Sequence, residues 1–100
     1  MLEKLQIVQQ RFDEVSDLIV QPDIISDQKR YIDLNKEYKE LSILVEKIKI
    51  YKTSLSNLKE AESLLKVEKD PEMIAMAKLE IESISIDLPK LEEEIKLMLI

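Results

Sequence analysis

The residues of this chain best equipped for chemistry are a carboxylate run, LEEEIK at 91–96, a lysine cluster, KIKIYK at 47–52, and three tyrosines. Paired carboxylates could exchange protons or hold a metal, but Glu92, Glu93 and Glu94 are consecutive. Consecutive side chains fan around a helix instead of converging, so the run reads as a solvated face. In the lysine cluster, Lys49 and Lys52 stand one turn apart and, with Lys47, could touch phosphate. The plainer reading is that these lysines flank an apolar seam. Tyr31, Tyr38 and Tyr51 could stack on bases, but each falls on a seam position and is expected in the core. The methionines of the third helical segment lie on or beside its seam, where gap-filling is the expected role.

No base or metal set accompanies these groups. The chain has no His and no Cys, so the commonest general base and thiolate ligands are absent. It has no Gly either, which excludes a P-loop and a dinucleotide fingerprint. No cofactor is expected. Apolar residues make up 45% of the chain and charged residues 36%, with four aromatics, a balance suited to long amphipathic helices. The net charge of −6 is uneven: residues 1–27 carry −4, residues 28–52 carry +3 and residues 53–100 carry −5. An acidic chain is a poor general ligand for nucleic acid, and only the middle segment departs from that. No apolar run approaches the ~18 residues that would span a membrane. The opening MLEKLQIVQQRF mixes charged and apolar residues, unlike a signal peptide.

Periodicity supplies the elements that must carry these side chains. Leu5, Val8, Phe12, Val15 and Ile19 alternate spacings of three and four, extended backwards by Leu2 and widened by Leu18. Gln21-Pro22 ends that helix, because a residue before proline is pushed out of the α region. A second seam runs through Tyr31, Leu34, Tyr38, Leu41, Val45 and Ile48. It slips at Lys52 to Tyr51 and resumes at Leu55, Leu58, Ala61 and Leu65. Ser26 or Asp27 caps its start. Asp70-Pro71 opens a third helix, whose seam is Ile74, Ala77, Ile81, Ile84, Leu88, Leu91, Ile95 and Met98. Pro89 lies inside it and should kink it near Asp87. The expectation is an all-α fold with helices over about 2–20, 27–67 and 71–99. Short connectors make consecutive helices antiparallel, giving an elongated three-helix bundle or coiled coil with a two-helix hairpin end at Val67–Pro71.

The particular residues add a resemblance. The run from Met1 to Leu41 is similar to the start of bacterial class I peptide chain release factors, of the release factor 1 type. The matching residues are Met1, Leu2, Lys4 and Leu5, then Arg11 and Phe12, then the connector Pro22, Asp23, Ile24 and Ile25. Tyr31, Leu34, Lys36, Glu37 and Tyr38 follow, with Asp70, Pro71, Glu72, Met76 and Ala77 later. Two positions depart: Gln21 stands where the family has Asp or Ser, and Ile43 where it often has proline.

The resemblance implies translation termination at UAA and UAG codons in the cytoplasm. The family's peptidyl-tRNA hydrolysis depends on a Gly-Gly-Gln loop, which a chain without glycine does not contain. The chain is therefore expected to be a single helical domain, 1–100, from the N-terminus of a longer protein. The apolar ending IKLMLI reads as continuing into a partner or a further domain. The implied role is a non-catalytic arm that contacts the stalk base of the large ribosomal subunit, the GTPase release factor and the remaining domains of its own chain. Leu64, Leu65, Val67 and Met73, near the hairpin end, are the apolar contact candidates. Two other readings remain: a structural coiled coil that dimerises through the same seams, and an RNA-binding hairpin using Lys47, Lys49 and Lys52.

Overall fold

Two proline junctions and one aspartate set where the helices begin. The computed structural model describes residues 1–100, except for the side chain of Leu2, so the expected seam position there lies outside the described residues. Gln21 is extended, with φ −78° and ψ 135°, as a residue before proline must be, and Pro22 occupies the first helical turn. Asp27 accepts a hydrogen bond from the Arg30 amide at 3.3 Å, so it caps the next helix, while the Ser26 hydroxyl donates instead to the Asp23 carbonyl. Asp70 is extended and accepts from the Glu72 amide, with Pro71 following at the first helical position.

The result is all-α, with 89% of the chain helical. The elements are α1 (Leu2–Leu18), α2 (Pro22–Ile25), α3 (Gln28–Val67) and α4 (Pro71–Met98). The three long helices fall where periodicity places them, to within two residues. The connector after α1 differs from the expectation, because it contains the single-turn helix α2. Its Ile24 is almost completely buried and belongs to no heptad seam. α4 runs through Pro89 without ending, although proline offers no amide to the Ser85 carbonyl. No helix is long and apolar enough to cross a membrane among the described residues.

The chain forms two compact units, Met1–Ile48 and Lys49–Ile100. Their boundary falls where the α3 seam slips. In the first unit, Leu5, Val15, Ile24, Leu44 and Ile48 are buried. The Phe12 and Tyr38 rings stack at 5.4 Å with an interplanar angle of 19°, and Arg11 grips Glu37 beside them. These pairs tie the middle of α1 to α3. Tyr31 departs from its expected core position: it is 37% exposed, and all of Gln28–Asp33 is exposed with it. A seam position is buried only where another element lies opposite it.

In the second unit, Tyr51, Ala61, Ala77 and Ile95 are buried. The Tyr51 hydroxyl donates to Glu92 Oε1 at 3.0 Å, joining α3 to α4 as an antiparallel hairpin. Glu92 is half-buried and accepts from Tyr51, so the LEEEIK run is not wholly a solvated face, although Glu93 and Glu94 are exposed.

Candidate functional site

The hairpin end of the second unit is built without glycine. No non-glycine residue has positive φ among the described residues, so the turn must close with ordinary backbone angles. Carboxylates supply the connections instead. Glu68 Oε1 accepts from the amides of Lys69 and Asp70 at 3.1 Å each, and Asp70 then caps α4. The amides of Lys69, Asp70 and Glu72 thereby find acceptors.

Ala61 on α3 and Ala77 on α4 are buried, and their small side chains leave room between the helices. The space is a groove of about 650 Å³. Leu64 forms its α3 wall, and Met73, Met76 and Leu79 form its α4 wall. Met76 is 68% exposed and Leu79 66%. The charged residues that line the groove are Glu60 and Glu80, both acidic and both exposed. The arrangement can take up apolar side chains and present carboxylates at the margin. Met73, Met76 and Met98 are all exposed, so the gap-filling expected of these methionines is not what they do.

The candidate residues distribute as follows. Leu64 and Met73 meet in the groove, while Val67 is 74% exposed beside the turn. Leu65 is half-buried and does not line the groove. Lys49 and Lys52 are exposed, and Lys47 is half-buried. No group of three or more metal-ligating side chains is present among the described residues.

Met76 and Leu79 escaped the heptad reading because they lie beside the main seam of α4. A signal existed. Met76, Leu79, Ser83 and Ile86 are spaced by three, four and three, a second apolar stripe broken only by the serine.

Comparison with known proteins then places the chain. The family profile described as the PCRF domain matches residues 8–100. The chain belongs to the PCRF domain family. Relatives of this PCRF domain include peptide chain release factor 1 of Flavobacterium johnsoniae, 55% identical over 100 residues. The protein of the same name from Cytophaga hutchinsonii is 46% identical over 100 residues, and that from Bacteroides fragilis 50% over 99. The matches cover 99–100% of this chain but only 27–28% of each relative's length. The release-factor resemblance thus holds along the whole chain. No solved structure matches this chain.

Proposed function

We propose that this PCRF domain is a non-catalytic helical module of a peptide chain release factor that acts in the cytoplasm in translation termination at UAA and UAG codons. The supporting observation is the match over the whole chain to proteins named peptide chain release factor 1. A chain without glycine holds no Gly-Gly-Gln loop, so the hydrolytic step belongs to other parts of the full factor. The module's role is association. Its hairpin end, with Leu64, Val67 and Met73, contacts the stalk-base region of the large ribosomal subunit and the GTPase release factor, while the first unit joins the remaining domains. Val67 and Met73, 74% and 40% exposed, leave apolar surface at that end for a partner to cover.

The test is association of the full-length factor with ribosomes stalled at a stop codon. Val67→Glu with Met73→Glu should weaken association at least tenfold, while the melting temperature stays unchanged. Unchanged association would remove the hairpin end as the contact. If Lys49→Ala with Lys52→Ala weakened association instead, and the effect faded with salt, the lysine cluster would be the contact surface.

A further inference from the structure

The second apolar stripe of α4 continues the groove wall. Met76 and Leu79 stand in the groove, and Ile86, 55% exposed, extends the same line beyond it. From Met76 to Ile86 the stripe runs about 15 Å along the helix, close to three turns. Its flanks are acidic. Between Pro71 and Pro89 the chain has Glu72, Glu80, Glu82 and Asp87 but one basic residue, Lys78. At 100° per residue Lys78 points well away from the stripe, whereas Glu80 and Asp87 border it. Across the groove, Glu60 adds a carboxylate from α3.

We infer that this groove receives a basic amphipathic helix from a partner protein, its apolar face on Met73, Met76 and Leu79 and its Lys or Arg residues toward Glu60 and Glu80. The α4 wall, Met73 to Glu80, is about two turns long and faces a shorter α3 wall of Glu60, Ala61 and Leu64, which fits a helix laid along α4 and anchored by residues at i, i+3 or i+4 and i+7. The two methionines of the α4 wall suit such a guest, because the unbranched thioether adapts to different side-chain shapes. Charge selects among the occupants. A second copy of this chain would bring the same carboxylates against Glu60 and Glu80, and RNA phosphates or anionic lipids would meet the same repulsion. The inference rests on the contact role proposed for the hairpin end and adds the chemistry of the partner.

The experiment uses the 100-residue chain and two synthetic helical peptides of identical leucine pattern, one with lysines and one with glutamates at the flanking positions. Methyl NMR signals of Met73, Met76 and Leu79 report binding. The lysine peptide should shift them and bind at least tenfold more tightly than the glutamate peptide. Glu60→Lys with Glu80→Lys should abolish or reverse that preference, and circular dichroism checks that this variant stays folded. Equal binding of both peptides, shifts centred elsewhere, or a concentration-dependent dimer that buries the methyl groups of these three residues would overturn the inference. So would an oligoribonucleotide or anionic vesicles shifting the same signals. If the lysine peptide failed while Val67→Glu with Met73→Glu still weakened ribosome association, only the partner chemistry would fall. If the peptide bound but association did not change, the contact role would fall instead.

Discussion

Arg11 holds Glu37 with two nearly parallel hydrogen bonds, Nε to Oε2 at 2.7 Å and Nη2 to Oε1 at 2.8 Å, joining α1 to α3. Arg11 also reaches Glu14 on its own helix at 3.2 Å. The bidentate bond to Arg11 holds the Glu37 carboxyl below the usual carboxylate range, against the opposing effect of its partial burial. Both side chains are more than a third exposed or close to it, so solvent screening limits the pair to about 1 kcal/mol. A double-mutant cycle of Arg11→Gln and Glu37→Gln in urea unfolding should return a coupling of that size, smaller at high salt.

The same pair sets an acid limb. Because the folded pKa of Glu37 is depressed, its contribution is fully present above the unfolded value of about 4.3. It is lost as pH falls through the folded pKa. Glu37→Gln should therefore flatten part of the stability loss below about pH 4, as measured by urea midpoints across pH.

Tyr51 governs the opposite limb. Burial, and secondarily the bond to Glu92, push its hydroxyl pKa above the usual value. Its stabilisation is fully present below about pH 10, the unfolded value, and is lost as pH rises through the folded pKa. Tyr51→Phe keeps the ring and removes the bond, so it should cost about 1 kcal/mol at neutral pH. It should also lessen the alkaline destabilisation, with phenolate absorbance tracking the missing titration.

Ile24 and Ile25 give a neighbouring contrast within α2. Ile24 is 1% exposed and Ile25 50%. Ile24→Ala should destabilise by about 2–3 kcal/mol through lost burial and a residual cavity. Ile25→Ala should change stability by less than about 0.5 kcal/mol. Equal effects in urea unfolding would show that α2 does not hold Ile24 in the core.

Asp70 tests the glycine-free turn. Asp70→Ala removes the acceptor for the Glu72 amide and should cost about 1 kcal/mol, whereas Asp70→Asn should retain most of the cap. Hydrogen exchange should rise first at the amides of the opening turn of α4.

Most helix boundaries were legible because their causes are local. Gln21-Pro22 and Asp70-Pro71 act within a few residues, and the three-four spacing of Val8, Phe12 and Val15 needs only one helix to exist. Ile24 was not legible, since a single turn is too short to show periodicity. Tyr31 and Tyr38 occupy equivalent seam positions, yet one is exposed and the other stacks on Phe12. The groove was half legible: Leu64 and Met73 stood out near the turn, while Met76 counted among the gap-filling methionines and Leu79 belonged to no seam.

The sequence by itself determined an all-helical chain, its punctuation, the absence of glycine-dependent chemistry and a release-factor resemblance. Each of these depends on residue type or on spacing along one helix. Only the tertiary structure decided that Glu92 receives the Tyr51 hydroxyl, that Arg11 finds Glu37, and that Met76 and Leu79 face water over two buried alanines. Those outcomes depend on what lies opposite a side chain, and periodicity within one helix carries no information about the neighbour across from it.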